Sequence, residues 1–222
     1  MHIVDPVAPQ QVKDLVYERL RSALITQEFA PGEPLREARL TEMFGVSKTP
    51  IREALVRLQQ DGLVEMAPYR GARASVYDAA SLHAIHEARE ILEAECVRRA
   101  ASGRKGAARS IAAELTETVY RARKALGDGD IGAAAAQLDA FDEILLRQIE
   151  GNVLLADVLR RVMAHLARVG RIELTESVIL ASLAQHEPII DAIRDQQPEA
   201  AVARLREHLA DVSAHTFASM GF

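Results

Sequence analysis

Lys48 and Arg52 form a pair whose residue types and spacing point directly to a chemistry. They are four residues apart and therefore share one face of a helix, with Thr49 beside them. Ile51 and Leu55 fall on the opposite face of the same helix. Arginine reads guanine through a two-pronged hydrogen bond, while lysine and threonine suit phosphates or base edges. The pattern predicts a helix that docks through its apolar side and reads DNA through its basic side.

A helix-turn-helix unit over Arg36–Leu55 would present this helix to a major groove. Gly45 is placed to end the first helix of the unit, and Ser47 is placed to cap the second. Arg70-Gly71, at the tip of a predicted hairpin, combines an arginine suited to the minor groove with a glycine that allows close backbone approach. The residues predicted to contact DNA are Arg36, Ser47, Lys48, Thr49, Arg52, Arg57, Arg70 and Gly71. The alternative interpretation is a solvated basic face without a partner.

Four residues in the second part of the chain have side chains of the kinds that ligate metals. Asp139 and Glu143 are four apart, so their carboxylates share a helix face, and His186 and His208 lie on two later helices. Oxygen and nitrogen ligands from three helices can surround one divalent ion in a bundle core. Each histidine taken singly is more typical of a surface or a hydrogen-bonded core position. Sequence spacing alone leaves both interpretations open.

Apolar periodicity predicts the elements that carry these residues. In the first third, the predicted helices span 11–27, a short stretch around Leu40–Phe44 and a stretch after Ser47, and the predicted strands span 63–67 and 72–76. Later helices are predicted near 79–102, 107–126, 131–150, 152–171, 178–196 and 199–217. We therefore predict a mainly α fold of two domains. Residues 1–76 form a winged helix-turn-helix with three helices and a two-stranded wing, and residues 77–222 form an all-α bundle of six or seven helices.

Composition and charge bound the class of protein. Residues 1–76 carry ten basic and ten acidic side chains, so the net charge of −5 belongs to residues 77–222. A neutral domain still binds DNA when its basic side chains converge on one face. The single cysteine, Cys96, excludes an intrachain disulfide and favours a reducing compartment. Without a signal-like start or an apolar run of about 18 residues, the sequence predicts a cytoplasmic protein with no membrane partner.

The stretch from Tyr17 to Val76 resembles the DNA-binding domain of GntR-type bacterial regulators. The matching residues are Pro31-Gly32, Leu35, Glu37, Leu40, the run Gly45–Leu55, Leu58, Gly62-Leu63-Val64 and Arg70-Gly71. The resemblance implies that Lys48, Thr49 and Arg52 touch the operator and that Gly71 enters the minor groove. Ala38 departs from the pattern because some relatives carry a DNA-contacting arginine at its place.

Residues 79–217 resemble the FCD effector domain of the FadR branch. The matches are Glu87–Glu93, Asp139, Gly151-Asn152, His186, Ile189, Ala192-Ile193 and His208-Leu209. Members commonly bind a metal through an aspartate, a histidine four residues later and two further histidines. By that pattern Asp139, His186 and His208 fit, and Glu143 stands where a histidine is usual. A glutamate still ligates zinc, nickel or manganese through oxygen; the alternative is that metal binding is weakened or lost.

Two arginines are candidates for holding an effector. Arg89 matches an arginine that faces the ligand cavity in relatives, where a guanidinium could clamp a carboxylate. Its alternative is a surface pair with Glu93 at i+4. Arg168 is assigned to the same cavity. His83 and His86, three apart, are assigned to a solvated helix face.

These features favour a sequence-specific DNA-binding transcriptional regulator, and not an enzyme. A small effector, with a carboxylate as the expected chemistry and a divalent metal as a candidate cofactor, would control its affinity for a short palindromic operator. One recognition helix reads a half-site, which implies a homodimer. A metal-dependent enzyme built on the four predicted ligands is an alternative, but no phosphate loop or other catalytic motif supports it. A helical scaffold with a vestigial winged domain is the third hypothesis.

Overall fold

The structure, a computed structural model, describes residues 9–67, 71–170 and 174–222. The chain divides into two compact units. The first unit is Met1–Asp78 together with Ala164–Val169, and the second unit is Ala79–Met163 together with Gly170–Phe222. The described residues form nine α-helices and one two-stranded sheet. This mainly α architecture, a winged helix-turn-helix followed by a helical domain, confirms the predicted fold class.

The first unit runs helix, helix, helix, hairpin. Its elements are α1 (Pro9–Ile25), α2 (Glu37–Phe44), α3 (Lys48–Gln60), β1 (Val64–Ala67) and β2 (Gly71–Ala74). The strands pair antiparallel, with Val64 opposite Ala74. Gly45 ends α2 in the left-handed conformation with φ 65°, which glycine adopts at low cost. Ser47 takes the N-cap position of α3, although its side chain makes no capping hydrogen bond.

Aliphatic side chains from the three helices form the core of the first unit. Leu20 of α1, Leu40 of α2, and Ile51 and Leu58 of α3 are all fully buried in one cluster. Burying each such side chain contributes roughly 2 kcal/mol. Because the buried residues of α3 recur at three- and four-residue steps, the core fixes the rotation of α3 about its axis.

Within the described residues, six helices follow. They are α4 (Ala79–Ser102), α5 (Lys105–Gly127), α6 (Ile131–Leu146), α7 (Val153–Gly170), α8 (Glu176–Arg194) and α9 (Pro198–Ser219), with one 3-10 turn at Arg147–Ile149. Side-chain caps set two of their starts. Asp130 accepts a hydrogen bond from the Ala133 amide at 2.8 Å before α6, and Thr175 accepts one from the Val178 amide at 3.4 Å before α8.

Small and aliphatic residues fill the core of the second unit. α4 packs on α9, and α5 packs on α6 and α8. The buried side of α6 carries Ala134, Phe141 and Leu145, which fixes the rotation of that helix. Of the helices that the structure describes, none combines the length and the apolar character needed to cross a bilayer.

Candidate nucleic-acid interface and buried polar cluster

The exposed face of α3 carries the predicted DNA-reading group. Lys48, Thr49 and Arg52 are exposed. Ile51 and Leu55 are 0% and 2% exposed and hold the opposite face against the core. The structure therefore brings the three polar residues together on one solvent-facing side of α3, as their helical spacing indicates. Their contact with DNA stays a prediction.

Arg52 is held from the side by α2. Its Nε donates to both carboxylate oxygens of Glu37, at 2.8 and 2.9 Å. This hydrogen bonding and the charge of Glu37 raise the pKa of Arg52 above its ordinary value. Glu37 is the first residue of α2, where the positive end of the helix dipole favours a carboxylate. Arg52 is thus a charged and oriented guanidinium at the surface of the first unit.

The remaining predicted DNA contacts lie at element ends. Arg36 and Ser47 are exposed at the N-cap positions of α2 and α3. Gly71 begins β2 with φ 75°, and no atom of the described residues stands within 4 Å of where its β-carbon would be. Its backbone is therefore open to close approach, and a β-branched replacement there is strained. Arg70 lies outside the described residues.

Arg57 does not join this group. Its guanidinium lies 3.8 Å from the ring centroid of Tyr17 and pairs with Asp14 at 2.7 Å. Both partners belong to α1. Five residues turn a helix by about 140°, so Arg57 leaves the face of Arg52 and reaches α1 instead. The structure makes it a link between α3 and α1, contrary to its predicted place among the DNA contacts.

The second unit gathers five buried polar side chains and the partly exposed Asp142, together called the buried polar cluster below: His86, Arg89, Glu93, Asp142, His186 and His208. Arg89 is 7% exposed. Its Nε donates to Glu93 at 2.7 Å and its Nη2 donates to Asp142 at 3.4 Å. Burial and the carboxylate of Glu93 raise the pKa of Asp142. The cluster therefore has an internal cation with acidic neighbours, the arrangement in which a buried charge is tolerated.

Three histidines complete the cluster, and all are neutral at pH 7. The rings of His186 and His208 meet edge to face with centroids 4.8 Å apart. Burial, with Arg89 nearby, lowers the pKa of His86 and of His208 to about 4. Burial, then His208 and Arg89, lowers the pKa of His186. Within the described part of the chain, His86 Nε2 and His186 Nδ1 are buried without a hydrogen-bond partner, which is costly and marks a place for a ligand or a water.

The predicted metal centre is not assembled. Asp139 and Glu143 are exposed, and among the residues described no group of three or more His, Cys, Asp or Glu side chains could hold one ion. The rotation of α6 is the reason, because Phe141 and Leu145 take its buried side and leave the other two at the surface. Phe141 also stacks on the ring of His186 at 3.8 Å. These residues do not fit the predicted four-ligand site.

Two further predicted assignments change in the second unit. Arg89 pairs with Glu93, as its alternative interpretation predicted. Both side chains, however, are buried and do not lie at the surface. His86 is 9% exposed and belongs to the buried polar cluster, whereas His83 is exposed as predicted. The rotation of α4 separates the two histidines, since the buried Leu82 and Arg89 share the side of His86.

Arg168 belongs to the first unit and not to the buried polar cluster. It is 1% exposed, and its Nη1 and Nη2 donate to the carbonyl oxygens of Leu24 and Phe29. Gln27 Nε2 donates in turn to the Arg168 carbonyl at 2.6 Å. At the end of α1, the guanidinium adds a second donor to the Leu24 carbonyl, which also accepts from the Gln27 amide at 3.2 Å. The structure therefore contradicts the assignment of Arg168 to an effector cavity.

Sequence reasoning missed several members of these sites. The spacing of Arg89 and Glu93 indicates their pairing, but nothing in it indicates their burial. Asp142 follows the buried Phe141 in α6, and this position beside the apolar side of the helix was the available sequence signal for its place in the cluster. The contact between Glu37 and Arg52 joins two helices and has no signal in local spacing.

Comparison with family models supports a two-domain chain. The model for bacterial regulatory proteins of the gntR family matches residues 13–73. The model for the FCD domain matches residues 84–211, more than half of the chain.

Similar proteins extend over nearly the whole chain. An uncharacterized HTH-type transcriptional regulator of Streptomyces ambofaciens is 31% identical over 89% of this chain and 81% of its own length. The HTH-type transcriptional repressor RspR of Escherichia coli (strain K12) is 29% identical over 92% and 88%, respectively. The repressor NanR of Enterobacter sp. (strain 638) is 30% identical over 96% and 88%. The structure of E. coli McbR/YncC covers 95% of this chain and 99% of its own, with TM-score 0.75 and 20% identity, which supports the fold. The relatives named here are transcriptional regulators rather than enzymes.

Proposed function

The chain belongs to the gntR family of bacterial regulatory proteins and carries an FCD domain, and from this premise we propose that a small anionic effector bound at the buried polar cluster controls its affinity for an operator. DNA-binding transcriptional regulation follows from the family itself. The effector proposal is carried by Arg89, a guanidinium only 7% exposed in the helical second unit. For the effector, His86 and His186 each provide a buried ring nitrogen that has no hydrogen-bond partner within the described residues.

The chemistry of the cluster favours a carboxylate that also has a hydrogen-bonding group. Arg89 uses Nε and Nη2 for Glu93 and Asp142, and the second of these contacts is long at 3.4 Å. A ligand carboxylate would form a stronger, charge-assisted pair with the guanidinium. The unpartnered histidine nitrogens would bind a polar group of the same ligand. Asp142, whose side chain is 24% exposed, marks the side on which the cluster meets solvent.

Calorimetry with a panel of small mono- and dicarboxylates tests this proposal on the full-length chain. Arg89→Lys keeps the charge but removes the planar fork, so we expect effector affinity to fall about tenfold or more. Arg99→Lys is the matched control, since Arg99 lies on α4 and pairs with Glu95 at 2.7 Å but is exposed. Wild-type affinity in the Arg89 variant, or no binding by any carboxylate of the panel, contradicts the proposal.

The DNA contacts of this function are proposed for Lys48, Thr49 and Arg52. Arg52→Ala should cost about 1–3 kcal/mol on the cognate site and flatten discrimination at one base pair. Lys48→Ala should reduce the salt dependence of binding by about one phosphate contact. Arg57→Ala is the control, because its contacts to α1 predict lower stability and unchanged discrimination. Quantitative footprinting on single-base operator variants separates these outcomes.

We also propose that the regulator is a cytoplasmic homodimer that binds a short palindrome. One recognition helix reads a half-site, and a two-fold pair reads both. On α7, Val153 and Leu154 are 75% and 78% exposed, and Val158 is 47% exposed. Grouped exposed apolar side chains mark interaction surfaces, so this end of α7 is proposed for the second copy.

Light scattering of the full-length chain tests the dimer. Leu154→Lys should shift the protein towards monomer and weaken binding to the full palindrome more than binding to a half-site. Leu180→Lys is the control, as Leu180 is an exposed leucine of α8 in the same unit. A monomeric wild type, or an unchanged dimer in the Leu154 variant, would show that this surface has another role.

A further inference from the structure

The contact between Glu37 and Arg52 is more specific than an ordinary surface ion pair. Both carboxylate oxygens of Glu37 accept a hydrogen bond from the Nε of Arg52, at 2.8 and 2.9 Å. Arginine has five N–H groups in a fixed plane, and four of them belong to the two terminal amines. Neither terminal amine of Arg52 donates to another side chain within the described residues. The edge that can form a fork with guanine O6 and N7 therefore stays available.

Glu37 is itself held in place. It begins α2, where the helix dipole stabilises a carboxylate, and its side chain is about one-third exposed. Leu40, one turn later, is fully buried in the same core cluster as Ile51 of α3. The two helices that carry Glu37 and Arg52 are thus packed through the residues next to this contact. Glu37 is a fixed support for a guanidinium on a long and otherwise flexible side chain.

We infer that Glu37 is a positioning residue that sets the sequence specificity of Arg52. This inference rests on the proposed contact between Arg52 and a base. By holding Nε, Glu37 orients the terminal amines for a guanine before DNA arrives, which spares part of the entropy of ordering the side chain. The negative charge of Glu37 also offsets the positive charge of Arg52 at DNA sites where no guanine accepts hydrogen bonds from its terminal amines. Glu37 therefore favours the cognate site and disfavours non-specific DNA.

A contribution to stability alone does not account for this geometry. Exposed ion pairs contribute little to the stability of a fold, and the side chain of Arg52 is 64% exposed. A pair kept only for stability would leave the ratio between cognate and non-specific affinity unchanged. That ratio is therefore the measurement that separates positioning from structure.

The experiment compares Glu37→Gln and Glu37→Ala with the wild-type full-length chain. Affinities for a cognate operator and for a scrambled duplex are measured on the same preparation over a range of salt concentrations. We expect non-specific affinity to rise, its salt slope to steepen by about 1, and the specificity ratio to fall about five- to tenfold. The fall should be larger for alanine, because glutamine retains one acceptor for Nε. Inactive protein lowers both affinities equally and leaves the ratio unchanged.

Glu42→Gln is the matched control. Glu42 is exposed on the same helix, five residues on and about 140° around it, and the change in charge is identical. It should raise both affinities alike and preserve the ratio. A ratio within twofold of wild type in both Glu37 variants overturns the inference, as does an equal loss of ratio in Glu42→Gln.

Arg52→Ala distinguishes failure of the inference from failure of the proposed DNA contact. If Arg52→Ala flattens specificity while the Glu37 variants do not, only the positioning role is wrong. If Arg52→Ala leaves specificity intact, the base contact is wrong and the positioning role falls with it. In support, the double variant Arg52→Ala/Glu37→Ala should show no loss of ratio beyond that of Arg52→Ala, because Glu37 acts through Arg52.

Discussion

Arg89 and Arg168 are both buried, and their partners differ in kind. Arg89 faces the carboxyl groups of Glu93 and Asp142, whereas the guanidinium of Arg168 donates to two backbone carbonyls. Loss of Arg89 would leave a buried carboxylate without its cation, which is strongly destabilising. Loss of Arg168 would remove one donor from each of two neutral carbonyl oxygens, and that of Leu24 would still accept from the Gln27 amide at 3.2 Å, so the cost is smaller. The same residue type therefore predicts two different consequences of substitution.

Arg168→Met should destabilise the first unit by about 1–3 kcal/mol, because the Leu24 and Phe29 carbonyls lose a buried donor. Arg160→Met is the control on the same helix, since Arg160 is half exposed and pairs with Glu150; its cost should stay below about 1 kcal/mol. Denaturant unfolding gives the free energies, and hydrogen exchange at the end of α1 localises the loss. Equal costs in the two variants would refute the capping role.

The buried histidines predict a pH dependence of stability. The pKa of His86 and of His208 is about 4 in the folded chain against 6.5 for a free histidine. The unfolded state therefore binds more protons between these values, so the free energy of unfolding is highest above pH 6.5 and falls as the pH drops towards 4. Each histidine contributes a slope of about 1 kcal/mol per pH unit inside that window.

His208→Gln tests the sign. Glutamine does not titrate and still offers a donor to Gln185, whose oxygen lies 2.8 Å from His208 Nδ1. Urea unfolding at pH 7 and pH 5 should show a smaller loss of stability for this variant than for the wild type. His215→Gln replaces an exposed histidine of the same helix and is the control for the substitution itself. A steeper loss in His208→Gln would mean that the protonated ring is stabilised in the fold.

At the scale of elements, helical periodicity predicted where helices lie and did not predict how they are rotated. α4 spans the predicted residues 79–102, and α8 begins two residues before its predicted start. Gly45 ends α2 as its conformational freedom indicates. The rotation of α3 was also predicted, because one face is apolar and the other is basic. The rotation of α6 was not predicted. Asp139 and Glu143 share a face, but alanines lie on several sides of the helix, so the sequence does not indicate which side is buried.

This rotation of α6 predicts that the chain takes up no stoichiometric divalent metal at the four predicted ligands. Asp139 and Glu143 are exposed, while the rings of His186 and His208 lie in the buried cluster beside Arg89, whose positive charge repels a cation. Titration calorimetry with zinc, nickel and manganese after chelator treatment at pH 7 measures this. One-to-one uptake that is lost in His186→Ala/His208→Ala would contradict the prediction and restore the metal centre.

At the scale of the whole molecule, contacts distant in sequence define the first unit. Ala164–Val169 groups with it, although the predicted boundary near residue 76 places this segment with the helical domain. The Tyr77 hydroxyl lies 2.8 Å from His165 Nδ1, and a β-carbon on Gly62 would come within 2.7 Å of the same ring. No local pattern indicates such pairings, because hydrophobic periodicity reports the face of a helix and not its neighbour.

If the chain binds an effector as proposed, any coupling between effector and operator is reciprocal. If the effector changes operator affinity by some factor, the operator changes effector affinity by the same factor, which is about 5–150 in most allosteric proteins. Calorimetry with the best carboxylate, in the presence of saturating operator or scrambled duplex, measures the factor by which the operator changes effector affinity. Operator titrations with and without effector measure the factor by which the effector changes operator affinity. The two factors should agree for the wild type. In Arg52→Ala, the operator should shift effector affinity no more than scrambled duplex does, because the cognate contact is gone. In Arg89→Lys, the effector should change operator affinity by the same factor as in the wild type. It should do so only at higher effector concentrations, because this variant binds the effector more weakly. A factor of one in the wild type would show that the effector does not act on operator binding.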